Sequence, residues 1–142
     1  MSLKPFQEED EDVWVIEDVS ISKTRPNIRI SVNSEGVAPN AETARIEELI
    51  ENIEPMILNA SGLMLENYSF DHFKKLGVDE ALLVEETAEA KASAVTLIGL
   101  FFFDFDGNIE EFEASFTVPW DPHHSFDIEH EGGEPTCCAV NG

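Results

Sequence analysis

Phe112-Glu113-Ala114-Ser115-Phe116-Thr117-Val118-Pro119-Trp120 alternates apolar and polar side chains along its length. Successive residues of a strand point to opposite faces. Phe112, Ala114, Phe116, Val118 and Trp120 therefore predict a core face, and Glu111, Glu113, Ser115 and Thr117 a wet one. One covered and one solvated face is the pattern of an antiparallel sheet, and this stretch sets the expected fold class.

Working outward, Phe126 and Ile128 alternate with Asp127 and Glu129, and Gly132-Gly133 turns the chain into a last strand through Cys138 and Val140. Upstream, residues 95–105 carry apolar side chains in both alternations, including Phe101-Phe102-Phe103, which predicts a central strand covered on both sides. Asp106-Gly107-Asn108 would turn it into the next strand. The C-terminal half thus reads as an antiparallel meander of about four strands. Val13-Trp14-Val15-Ile16 and Ile28-Arg29-Ile30-Ser31-Val32 read as two more.

Between these halves the period changes. Ile46, Leu49, Ile50, Ile53, Met56, Ile57, Ala60 and Met64 recur at helical spacing after a start at Pro39-Asn40, with Glu47, Glu48, Glu51 and Glu54 opposite. Pro55 lacks a backbone donor and crowds the preceding turn, so a kink or restart is expected near Glu54. A short helix follows over residues 69–76, capped by Ser69 and closed by Gly77. The expected fold is α+β: an antiparallel sheet of about six strands with one long, kinked amphipathic helix and a short helix packed on it. Residues 1–12 read as an acidic arm free to flex, and residues 13–142 as a single α+β domain.

Composition narrows the function classes. The 142 residues are 42% apolar, with ten Phe and two Trp, which supports a core without disulfide or metal staples. No apolar run reaches the roughly 20 residues that cross a bilayer. The start of the chain lacks an apolar signal region, so the expected compartment is the cytoplasm. Cys137 and Cys138, the two cysteines, are adjacent and would face opposite sides of a strand, so they read as reduced thiols.

Eight Lys and Arg against thirty Asp and Glu give a net charge of −22. Such a chain repels phosphate backbones and anionic membranes, and Lys23, Arg25 and Arg29 form at most one small basic patch, so neither nucleic acid nor membrane is an expected partner. A basic protein is the natural counterpart. The acid concentrates in the block Glu8-Glu9-Asp10-Glu11-Asp12, on the outer helix face, and after Lys91, beyond which no Lys or Arg occurs.

No motif for chemistry is complete. Asp104-Phe105-Asp106-Gly107-Asn108-Ile109-Glu110 is rich in oxygen ligands, but its glycine is misplaced for a calcium loop and its flanks read as strands. Ser125 follows His124 without a nucleophile elbow, the cysteines have no basic neighbour, and Gly132-Gly133 is followed by Glu134 rather than a phosphate-binding helix start. No cofactor is implied. Trp120-Asp121-Pro122-His123-His124 sets an indole, a carboxylate and two imidazoles at one strand end, where Asp121, His123 and His124 are candidate metal ligands; Asp before Pro is equally a turn initiator.

Trp120, Asp121, His124, Ile128 and Gly133 resemble the ending of an uncharacterised family of small bacterial domains, in which a hairpin leads into Trp-Asp-x-x-His, a short alternating strand and a glycine-containing turn. The resemblance covers about the last third of the chain. It implies a cytoplasmic protein without assigned activity, and some members resemble immunity proteins of bacterial toxin systems. The sequence departs from the pattern at Ser125-Phe126 and in its Cys137-Cys138 pair.

The leading expectation is a non-enzymatic interaction module, of immunity type, that meets a basic partner through Glu47, Glu48, Glu51, Trp120, Asp121 and His124. A second is a metal-binding domain or metal-dependent hydrolase using Asp121, His123 and His124. A homo-oligomeric structural subunit ranks last, because like-charged faces repel unless an uncharged edge strand pairs.

Overall fold

A computed structural model describes residues 3–34, 43–64, 69–84, 87–103 and 110–141. Seven strands form one sheet in sequence order: β1 (Gln7–Asp10), β2 (Val13–Val19), β3 (Ile28–Asn33), β4 (Thr96–Phe102), β5 (Phe112–Val118), β6 (Asp121–Glu131) and β7 (Glu134–Asn141). Four short helices, α1 (Thr43–Glu51), α2 (Ile53–Met64), α3 (Phe70–Lys75) and α4 (Ala88–Ala94), and a 3-10 turn at Glu80–Leu82 all fall between β3 and β4.

The sheet is mixed, which corrects the expected antiparallel arrangement: β3 and β4 are parallel, with Ile30 opposite Leu100 and Val32 opposite Phe102. The helical connection brings the chain back to the end from which β3 started, and only such a crossover can join parallel neighbours. All other neighbours are antiparallel. A seventh strand, β1, comes from the acidic segment expected to be an arm. It pairs with β2 despite its charge, Gln7 opposite Val15 and Glu8 opposite Trp14.

The expected long helix is two helices. Asn52 breaks it, and its side-chain amide donates to the Glu48 carbonyl (3.0 Å). Pro55 then falls in the first turn of α2, where a missing N–H leaves no helical bond unmade. Ile46 and Ile50 of α1 and Ile53, Met56, Ile57 and Ala60 of α2 are buried, as their spacing requires. Ser69 caps α3, accepting from the His72 N–H (3.3 Å), and Gly77 follows at φ +88°. The expected helix start at Pro39-Asn40 and the Asp106-Gly107-Asn108 turn lie outside the described residues.

Burial alternates along the strands: Ile28, Ile30, Val32, Leu97, Leu100, Phe102, Phe112, Ala114, Phe116, Val118, Phe126 and Ile128 are all core. Their neighbours are half-buried or exposed. The helices therefore cover one face and, among the described residues, no helix covers the other. This overturns the expectation that β4 is covered on both sides: Ile98 and Phe103 remain 42% and 45% exposed. A network around Arg25 ties the helical layer to the sheet. The Arg25 guanidinium, in the loop between β2 and β3, bonds both carboxylate oxygens of Glu54 (2.6 and 2.9 Å) and the Ala92 and Val95 carbonyls (2.8 and 3.2 Å). No described helix is long and apolar enough to cross a membrane.

Candidate interaction surface

The uncovered sheet face is organised in rows that only strand pairing creates. In one row Ser31, Phe101, Glu113, Glu129 and Cys137 stand side by side across β3 to β7. In the next stand Arg29, Gly99, Ser115, Asp127 and Ala139. Directly opposed residues share a face, so Glu113, Asp127 and Glu129 converge in the middle of this surface. A Cβ on Gly99 would meet the Arg29 carbonyl oxygen at 3.2 Å, so a residue without a side chain suits the close β3–β4 approach.

Their electrostatics are strained. Partial burial pushes the Glu113 carboxyl above the usual carboxylate range, and the neighbouring Asp127 and Glu129 charges push it further. Asp127 accepts from the Ser115 hydroxyl (2.6 Å) and from the Asn141 amide. Arg29 is drawn the other way, to Glu9 and to Glu17 (3.3 Å), on the β1 side. Beside the carboxylates the Phe101 and Phe103 rings meet edge to face, centroids 4.6 Å apart. An aromatic face attracts a guanidinium or ammonium, and a carboxylate pairs with one.

At the end of this face a cavity of about 220 Å³ is lined by Phe103, Glu111, Phe112, Glu129, His130 and Glu131. His130 is buried and stacks on Phe112, centroids 4.3 Å apart and planes 11° apart. Its Nδ1 donates to the Ile128 carbonyl (3.0 Å), so the neutral ring leaves Nε2 a bare acceptor, and that atom is buried with no partner among the described residues. Burial holds the His130 pKa below the ordinary imidazole value, against the opposing pulls of the Ile128 bond and the Glu134 charge.

The residues expected to act separate. Trp120 is core, 4% exposed. Asp121 and His124 do meet: one β5 residue, Thr117, faces Pro122, His123, His124 and Ser125, and this bulge folds His124 Nδ1 onto the Asp121 carboxylate (2.7 and 2.8 Å). His123 is exposed. Among the described residues no group of three or more His, Cys, Asp or Glu is placed to hold a metal, so the pair has no third ligand there. Glu47 accepts from the Leu3 backbone N–H (2.9 Å), a structural tie. Glu48 and Glu51 are exposed on α1, in the layer behind the sheet.

Sequence reading placed Glu113, Asp127 and Glu129 on wet faces without joining them. The missing information was register, which a single sequence does not carry. No family model, no curated protein and no solved structure matches this chain. The resemblance of the C-terminal segment rests on Trp120, Asp121, His124, Ile128 and Gly133 alone.

Proposed function

We propose that this protein is a non-enzymatic interaction module whose uncovered sheet face docks a basic protein. The supporting observation is the row Phe101, Glu113, Glu129, in which two carboxylates oppose each other beside an aromatic pair of half-buried Phe101 and exposed Phe103. Holding like charges together costs stability, and a partner's guanidinium or ammonium removes that cost on binding. The overall charge of −22 steers such a partner from a distance. An immunity-type role, in which the acidic face covers a basic toxin-class protein, is the form suggested by the C-terminal resemblance. The cytoplasm is the compartment this role requires.

A tri-arginine peptide amide, followed by amide chemical shifts, tests the reading. Shifts should centre on residues 101, 113, 115, 127 and 129 and shrink with added salt. Glu113→Gln with Glu129→Gln should weaken binding, whereas Glu48→Gln with Glu51→Gln should not. Shifts centred on α1, or equal binding of a tri-aspartate peptide, would overturn it.

A further inference from the structure

The two edges of the sheet are built differently. β1 is short and its four residues are Gln7, Glu8, Glu9 and Asp10, the charged, brief edge that discourages strand addition. β7 is twice as long, and after Glu134 it reads Pro135, Thr136, Cys137, Cys138, Ala139, Val140, Asn141, without a charge. A register shift confines irregularity to its start, between the pairs Glu129–Cys137 and His130–Pro135. From 137 to 141 the strand is regular against β6; α2 packs close to β7, but among the described residues no strand neighbours its outer edge. Cys137, Ala139, Val140 and Asn141 are exposed. In a chain this acidic, an uncharged, regular edge is the natural place for another strand to add.

The side chains on β7 say which strand. Cys137 and Ala139 lie directly beside Glu129 and Asp127 on the uncovered face, and both are small. A long basic side chain on an added strand can lie across them, stem on the small residues and head at the carboxylates of β6. Residues two apart on that strand would share this face. A second copy of this chain would bring no cation to these positions and would add its own charge of −22.

Resting on the docking reading above, we infer that the partner contributes an extended segment with Lys or Arg at alternate positions, which adds to the outer edge of β7 and reaches Glu129 and Asp127 over Cys137 and Ala139. Backbone ladder bonds supply affinity and the two carboxylates supply selection.

The test compares two synthetic hexapeptides of alternating Arg and Val, one ordinary and one N-methylated at every second residue, which keeps its charge and loses ladder donors. Hydrogen exchange on the full chain should show the ordinary peptide protecting amides within residues 137–141. The N-methylated peptide should bind at least about tenfold more weakly, because three ladder donors are removed. Ala139→Leu, which closes the path to Asp127, should weaken the ordinary peptide severalfold while leaving the melting curve of the protein in place. Equal binding of both peptides would overturn strand addition while leaving face docking intact, and binding of neither would overturn the docking reading itself. Concentration-dependent protection of residues 137–141 in the protein alone would assign the edge to a second copy and overturn the inference.

Discussion

Glu113 and Glu129 stand directly opposite each other on the adjacent antiparallel strands β5 and β6, on the face of the sheet that no described helix covers. Like charges in this position are destabilising by a few tenths to about 1 kcal/mol. Phe101 stands beside them in the same row, and this is the arrangement on which the proposed docking rests.

Glu113→Gln should therefore stabilise the protein at neutral pH, by roughly 0.5 kcal/mol. The folded-state pKa of Glu113 lies above its unfolded value, so its charged form is disfavoured by folding. Its contribution is fully present below the unfolded value of about 4.5 and is lost as pH rises through the folded one. Urea melts should show the variant ahead at pH 7 and level with the parent in acid. A variant less stable at pH 7 would contradict the geometry.

His130 titrates in the opposite sense. Its pKa is lowered in the folded state, so the stability tied to the neutral ring is present above the ordinary value of 6.5 and is lost as pH falls through the folded pKa. His130→Phe keeps the stack on Phe112 and removes both the proton site and the unpaired Nε2. Denaturation midpoints measured downward from pH 7 should fall less steeply in the variant than in the parent.

Arg25 is 13% exposed and carries four hydrogen bonds joining the β2–β3 loop to Glu54 and to the chain around α4. Arg25→Ala should cost about 2–4 kcal/mol in chemical denaturation, because it leaves two carbonyls and a carboxylate without their donor. Arg25→Lys should recover only part, since an ammonium lacks the planar fork that meets both Glu54 oxygens. The same bond holds the Glu54 pKa below its ordinary value, so this contribution is lost as pH falls through the folded-state pKa.

Trp120 and its neighbours should divide sharply. Trp120→Ala opens a core site and should cost about 3–5 kcal/mol. His124→Ala removes an exposed hydrogen-bonded contact with Asp121 and should cost under about 1 kcal/mol. Calorimetry of the two variants distinguishes a structural Trp-Asp-x-x-His segment from one in which the pair carries the stability.

Much of the local structure was legible. The alternation of residues 112–120 places Phe112, Ala114 and Phe116 in the core, Gly132 and Gly133 turn β6 into β7 at φ +59° and +77°, and Ser69 caps its helix. These depend on near neighbours in sequence, where side-chain period, backbone freedom and hydrogen-bonding chemistry act directly. Phe101 and Phe103 do not lie on a covered face as their pattern suggested, because an apolar side chain alone does not tell a buried strand face from an exposed one.

The sequence by itself determined the acidity, the two side-chain periods, a helix restart in the region of Pro55 and the apolar set that must be buried. Only the tertiary structure decided that β3 and β4 run parallel, that the acidic Gln7–Asp10 segment pairs as a strand, and that Glu113, Asp127 and Glu129 share one surface with Phe101. The reason is physical: strand order and register come from packing between segments far apart in the chain, whose partners no local pattern names.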